Sequence, residues 1–278
     1  MRKPVLQFYE EIADEYHLMF SDWKKEVVRQ GEVLDHLIRR HLGPEARSVL
    51  DCACGIGTQA IGLATRGYAV HATDLSPAAV ERAKKEAESL GAAMTFDVAD
   101  FRTLEAEVTD TFDVVLCCDN SLSHLLEDED LLQAASQIKA RLKPGGMLLA
   151  SIRDYDQLVK QDDESSSSDS ADPGLPGMYR RAGRGLPHAT MPSVFDDADG
   201  RRIAFQIWDW APDARSYTVN QFFVRMVGED CQTTHYATHF RALLRGELSG
   251  ILQQAGFSTI DWQMPAESGF YQPIVLAR

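Results

Sequence analysis

The run LDCACGIGT at residues 50–58 sets a carboxylate, Asp51, ahead of two glycines, Gly55 and Gly57, where a short apolar segment gives way to a helical one. Glycines at these places permit a tight turn and let a ligand approach the backbone. The helix that follows offers unpaired N–H groups at its N-terminus. Asp74 closes the next apolar segment, 19 positions beyond Gly55, where a carboxylate can accept both hydroxyls of a ribose. Two nucleoside cofactors meet such a turn in opposite ways. Gly55-x-Gly57-x-x-Ala60 fits the dinucleotide fingerprint, in which a pyrophosphate sits on the turn. S-adenosylmethionine (SAM) brings an amino acid with an ammonium group instead. Asp51 repels the first and attracts the second, so charge favours SAM. A helix-entry turn without ligand is the remaining alternative.

Other chemistry-bearing residues follow the later apolar segments. Asp100, in DVADFRTL, can accept from an adenine amino group, with Ala99 and Phe101 along the ring; a plain turn or helix cap is the alternative. CCDNSLSHL at 117–125 follows the fourth segment, where an acceptor would meet a methyl donor. His124 within it can act as a base or bond to backbone. Arg153 ends the fifth segment; its guanidinium can grip a carboxylate through two parallel hydrogen bonds, or pair with Asp154 or Asp156. Tyr9, Tyr16 and Tyr179 can close a hydroxyl-lined lid or pack as core aromatics. Trp208 and Trp210 flank Asp209 and can cage a methylated ammonium or fill a core. His235 and His239 are isolated, and Cys52 and Cys54 have no second ligand pair at zinc-like spacing, so no metal is expected.

The elements that must position these residues are written in the periodicity. Leu6, Tyr9, Ile12, Ala13, Tyr16 and Phe20 predict a helix over 5–20, and Val27 to Ile38 a second over 24–42, stopped by Gly43-Pro44. Strands are expected at SVLDC, AVHATD, MTFDV, FDVVLCC and MLLASI, with helices over 58–66, 77–90 and 129–142 between them. The second of these has Pro77 in its first turn and Gly91 just past its end. Lys143-Pro144-Gly145-Gly146 reads as the turn that ends the third. This alternation predicts a parallel sheet with helices on both faces. The pattern changes after Ile152. Residues 161–177 are acidic and Ser-rich and are expected to form a mobile loop. Residues 193–227 read as antiparallel strands, with tight turns at Asp199-Gly200 and Gly228-Glu229-Asp230. A helix over 245–255 and the strands STIDWQM and QPIVLAR complete the chain.

The expected division is an N-terminal helical cap (1–45), a Rossmann-like cofactor core (46–152), a substrate-side antiparallel insertion (153–240), and a closing helix and strands (241–278). The 278 residues, 44% apolar, can bury a sizeable core. A net charge of −14 argues against a nucleic-acid partner. No apolar run approaches the roughly 18 residues that span a bilayer. The N-terminus turns acidic too soon for a signal peptide, and the five cysteines read as reduced, buried thiols. A cytoplasmic enzyme with neither membrane nor nucleic-acid partner is expected.

In order, Asp51/Gly55/Gly57, Asp74, Asp100, the loop after the fourth strand and the Lys-Pro-Gly-Gly turn resemble the motifs of class I SAM-dependent methyltransferases over residues 46–152. The resemblance implies an α/β, Rossmann-like seven-stranded sheet with an antiparallel final strand. It also implies SAM as cofactor and S-adenosylhomocysteine as product. More narrowly, FYEEIADEYHLMFSDW, CDNSLSHL, SIRDYDQLV, GMYR and FYQPIVLAR resemble the glycine and sarcosine N-methyltransferase group. By that resemblance an N-terminal segment bearing Tyr9, Tyr16 and Arg29 covers SAM. Ala53, Leu75, Phe101, Cys118, Asn120 and Ser121 complete the cofactor site. Asn120, Arg153 and Tyr179 serve the acceptor, with Tyr217 as a further tyrosine. The implied acceptor is a small carboxylated amine, and a homo-oligomer is compatible, its N-terminal helices covering their own site or a neighbour's. The serine-rich and central strand regions depart from the group. Three other functions fit parts of the sequence: methylation of another small molecule at oxygen or nitrogen, an NAD(P)-dependent oxidoreductase, and a non-catalytic SAM-binding module.

Overall fold

The computed structural model describes residues 5–159, 188–197, 200–228 and 230–278. Tyr179 and the serine-rich segment 161–177 lie outside the described residues. The helices are α1 (Val5–Ile12), α2 (Trp23–Leu42), α3 (Thr58–Ala64), α4 (Pro77–Ser89), α5 (Asp128–Ala140), α6 (Arg245–Gln254) and α7 (Pro265–Ser268). The strands are β1 (Ser48–Asp51), β2 (Ala69–Asp74), β3 (Thr95–Val98), β4 (Phe112–Cys117), β5 (Leu142–Ser151), β6 (His188–Ala189), β7 (Ser193–Asp197), β8 (Gly200–Trp210), β9 (Ser216–Val227), β10 (Asp230–Arg241), β11 (Ile260–Gln263) and β12 (Ile274–Ala277).

One unit comprises residues 4–153 and 246–278. Its seven strands run in the order β11-β12-β5-β4-β1-β2-β3. All pairs are parallel except those of β12, which is antiparallel to both neighbours. This is the expected doubly wound sheet with its reversed final strand. β4 is buried at all but one position and β12 at every position, as inner strands covered on both faces must be. The loops after β1, β2, β3 and β4 all open at the carboxyl edge, the ligand-bearing edge of such sheets.

Two details differ from the sequence expectation. The N-terminal helix ends at Ile12, and a 3-10 turn follows at Tyr16–Met19. The Asp14 carbonyl accepts the Arg82 guanidinium at 2.8 Å instead of continuing the helical ladder. The Lys143–Gly146 segment is not a free turn but part of β5. Leu142 pairs Phe112, and the register shifts before Met147 pairs Val114, so the extra residues form a bulge with Gly145 at φ 79°. Lys143 Nζ fixes the bulge by donating to Asp113 at 3.0 Å and to Ser48 Oγ at 2.8 Å.

Helix α2 lies directly on α3. A Cβ on Gly31 would fall 2.5 Å from the Gly62 carbonyl carbon, and one on Gly62 would fall 2.4 Å from the Val27 oxygen. Two polar bonds lock this crossing: Trp23 Nε1 donates to Thr58 Oγ1 at 2.9 Å, and Gln59 Nε2 to Gln30 Oε1 at 2.8 Å. The N-terminal segment is thereby fixed to the helix that carries the glycine turn.

The second unit covers residues 154–245 among those described. Its antiparallel sheet follows the order β10-β9-β8-β6, with β7 on β8. Trp208 and Trp210 both pack on Tyr217, at ring-centroid distances of 5.1 and 4.6 Å, and Tyr217 shares a 2.7 Å hydroxyl contact with Tyr155. The two tryptophans that could have caged an ammonium thus build an aromatic core with Tyr217. Asp154 and Asp156 pair with Arg245 at 3.5 and 3.3 Å.

Candidate SAM-binding site

The glycine turn is built by bonds from both flanking strands. After β1, Cys52 N–H donates to Leu116 O at 3.0 Å and Cys54 N–H to Thr73 O at 2.9 Å. Gly55 and Gly57 then take φ values of 53° and 93°, left-handed geometry that favours glycine. Asp74, at the end of β2, accepts Gly55 N–H at 2.8 Å through one oxygen and Ser76 N–H at 2.9 Å through the other. Burial pushes its carboxyl up, and these two bonds, which favour the anion, offset only part of that rise.

Asp51 is 1% exposed. One oxygen lies 3.4 Å from Ala53 N–H; the other makes no hydrogen bond within 3.5 Å among the described residues, while the backbone N–H groups of Ala53 and Ala60 both favour the anion. Burial pushes its carboxyl up to about 8, with a smaller contribution from the nearby Asp74 and Asp119. An ammonium group bound beside the turn would favour its charged form.

Beside the turn lies a cavity of about 370 Å³. Of the residues singled out in the sequence, Tyr9, Tyr16, Ala53, Gly55, Asp74 and Leu75 line it. Asp100, Phe101 and Ser121 do so as well. Tyr9 Oη lies 2.8 Å from His124 Nε2, and His124 also reaches the cavity. Burial raises both tyrosine hydroxyls well above their ordinary range, so they stay protonated. The segment bearing them is pinned to α4: Glu10 accepts Ser76 Oγ at 2.6 Å and Ala78 N–H at 2.9 Å.

Other expected residues do not line the cavity: Asp51 and Arg153 are absent from its wall, as are Gly57, Cys118, Asn120 and Arg29. Gly57 shapes the turn. Cys118 packs in the core with its thiol toward Leu149 O. Asn120 is 2% exposed, and its Oδ1 accepts Arg153 N–H at 3.1 Å and Ser123 Oγ at 2.9 Å. Asn120 thus ties the fourth-strand loop to the end of β5, next to Arg153. Arg29 does not line the cavity; its guanidinium pairs with Glu26 at 2.6 Å and lies 5.8 Å from the Tyr271 ring. Asp100 reaches the cavity with its carboxylate already engaged by the Arg102 guanidinium, at 2.6 Å for the shortest bond. That pairing holds the carboxyl below its usual range against the effect of burial.

Sequence reasoning passed over Gln59, Arg102 and Asp119, which also line the cavity. Each stands beside a chosen residue: Gln59 in the first turn after Gly57, Arg102 two places after Asp100, Asp119 directly before Asn120. Position at a strand's carboxyl end was the available signal for Asp119.

The residues present suit SAM. Asp51 sets a buried carboxyl behind the turn where an ammonium would lie, Asp74 closes the turn where a ribose would lie, and Phe101 with Leu75 offers apolar cover for a base. Residues 49–146 match the model of a methyltransferase domain family. Fold, turn and match agree over residues 49–146: this segment is a methyltransferase domain on a Rossmann-like sheet, with a turn and cavity that suit S-adenosylmethionine.

The chain is also similar to particular enzymes. It is 32% identical over 154 residues to a glycine/sarcosine N-methyltransferase of Parasynechococcus marenigrum, covering 55% of this chain and 53% of that one. It is 24% identical over 205 residues to the glycine/sarcosine N-methyltransferase of Halorhodospira halochloris, covering 73% and 69%. The chain spans about half the length of most of the curated relatives it matches. Its fold is that of a SAM-dependent methyltransferase from Clostridium acetobutylicum, with a TM-score of 0.69 at 17% identity over 98% of both chains. Among the described residues no helix is long and apolar enough to cross a membrane.

Proposed function

We propose that this protein is a SAM-dependent N-methyltransferase whose acceptor is a small carboxylated amine, such as glycine or sarcosine. The observation that carries the cofactor half of this reading is the buried carboxyl of Asp51 behind the turn that Asp74 closes. The acceptor half is supported by the Asn120–Arg153 bond, which holds the backbone of a guanidinium-bearing residue at the end of β5. The names of the glycine/sarcosine relatives agree with it.

When bound, SAM supplies a methyl group already made electrophilic by its sulfonium. The protein's task is then chiefly to orient the acceptor and exclude water. Asp51, Gly55 and Gly57 hold the methionine end of the cofactor, Asp74 its ribose, and Asp100 with Phe101 its adenine. Tyr9 and Tyr16 close over it from the N-terminal segment. Arg153 orients the acceptor by its carboxylate, a task suited to a planar guanidinium. Tyr179 is assigned to the acceptor on resemblance alone.

Incubation with labelled SAM and a panel of amines with and without carboxylates tests this reading. Methylation confined to carboxylated amines is expected. Arg153→Ala should raise KM for the amine by about tenfold or more, the size of a lost charge-assisted bond, with SAM affinity nearly intact. An unchanged KM would remove Arg153 from the acceptor site.

A further inference from the structure

The loop after β4 holds two consecutive non-glycine residues in left-handed geometry, Asp119 at φ 58° and Asn120 at φ 69°. Asp and Asn enter this region more readily than other non-glycine residues, but two in succession need surroundings that hold them there. Here they do. Asp119 N–H donates to Ser151 Oγ at 2.9 Å, Ser151 Oγ donates to Gln272 Oε1 at 2.9 Å, and Asn120 N–H donates to Ser151 O at 3.0 Å. The outcome is that the Asp119 side chain lines the cavity, where its carboxylate accepts the Tyr271 hydroxyl and a bond from the Gln59 side chain.

Sheet order indicates what this carboxylate faces. The turn after β1 lies between β2 on one side and β4 on the other. Asp74 and Asp100, the ribose and adenine residues, follow β2 and β3. The loop after β4 is on the opposite side, tied through Asn120 to Arg153, the residue proposed to hold the acceptor's carboxylate. A small amine at neutral pH is an ammonium without a lone pair, and it cannot attack carbon until one proton leaves.

We propose that the Asp119 carboxylate receives the acceptor's ammonium group and removes its proton, making Asp119 a catalytic residue of this site. The proposal rests on the N-methyltransferase reading above. In the step, one N–H bond breaks, its electron pair stays on nitrogen as the lone pair, and the proton forms an O–H bond on Asp119. Asp119 returns that proton to solvent once the product has left. Asp119 is half-buried in the ligand-free protein; once cofactor and acceptor exclude water, a neutral acid beside a neutral amine costs less than a buried ion pair.

The surroundings of Asp119 suit a base. Burial raises its carboxyl, and Glu26 adds to this; Tyr271, Gln59 and Arg153 favour the anion. Tyr9, Tyr16, Arg29 and Asp51 also lie within its field, as does Cys118.

Asp119→Asn and Tyr271→Phe test the proposal, with glycine, sarcosine and ethanolamine as probes. Turnover is followed from about pH 6 to about pH 10, across the amine's own titration. Calorimetry follows sarcosine binding to the protein loaded with S-adenosylhomocysteine. In Asp119→Asn, turnover near neutral pH should fall on the order of 100-fold and recover as pH rises and free amine appears. Sarcosine binding should weaken, while SAM affinity stays within about threefold. If that variant does not fold, Tyr271→Phe removes a bond that favours the anion, so the acid limb of the pH–rate profile should move to higher pH. Wild-type turnover in Asp119→Asn, an unmoved acid limb in Tyr271→Phe, or a loss of SAM affinity with amine binding unchanged would each overturn the role of Asp119 alone. SAM binding without methylation of any amine would overturn the N-methyltransferase reading, and this proposal with it.

Discussion

The Asp74 carboxylate accepts the backbone N–H of Gly55 at 2.8 Å, so the end of one strand closes the turn that follows its neighbour. Its other oxygen accepts Ser76 N–H at the start of α4. One side chain therefore sets both the turn and the next helix, in addition to the ribose contact proposed for it. Asp74→Asn keeps one acceptor but turns the second oxygen into a donor facing an N–H. It should weaken SAM binding about 10- to 100-fold, the range of one hydrogen bond to a charged group. Calorimetry reads this directly, and unchanged affinity would place the ribose elsewhere.

In the role proposed for it, Asp51 should make cofactor binding pH-dependent. Its carboxyl is pushed up to about 8 in the ligand-free protein, and an ammonium beside it would lower that value. Binding near neutral pH should then release a proton, so affinity should rise with pH until about 8. Calorimetry in buffers of different ionisation enthalpy would detect the proton, and Asp51→Asn should abolish it.

The same residue should destabilise the ligand-free fold. A carboxyl whose folded value lies above its unfolded one near 3.8 gives stability at low pH that is lost as pH rises towards about 8. Asp51→Asn should therefore raise the ligand-free Tm at neutral pH, by about 2–4 °C for each kcal/mol gained. A lower Tm would mean that the charge is already compensated in the folded protein.

Glu10 does not line the cavity, yet it fastens the segment bearing Tyr9 and Tyr16 to the start of α4. Glu10→Ala should speed SAM release and weaken its binding by about tenfold, the worth of roughly 1.4 kcal/mol. Stopped-flow displacement measures the release rate; an unaltered rate would show that the segment is held by other contacts.

Gly31 and Gly62 let α2 and α3 touch backbone to backbone. Gly31→Ala would force the helices apart and strain the Trp23–Thr58 and Gln59–Gln30 bonds. A loss of about 1–3 kcal/mol in denaturant unfolding is expected, the usual cost of overpacking. Gly250, with open space around its missing Cβ, is the control: Gly250→Ala should be neutral or stabilising.

The sequence by itself determined the doubly wound sheet, because apolar runs alternating with 3.6-residue periodicity can bury their faces in few ways. It also determined the glycine turn and the charge beside it, since Asp51, Gly55, Gly57 and Asp74 sit at strand ends whose register is local. Only the tertiary structure decided which polar groups meet across long separations. Glu10 and Ser76, Tyr9 and His124, and Tyr271 and Asp119 lie 66, 115 and 152 positions apart, and no spacing rule joins them. It also decided that Arg102 occupies the Asp100 carboxylate, that Asn120 lies behind the cavity wall while Asp119 reaches it, and that Trp208 and Trp210 close on Tyr217. The reason is physical: periodicity specifies which face of an element is buried, whereas a side chain's partner depends on how elements distant in sequence pack.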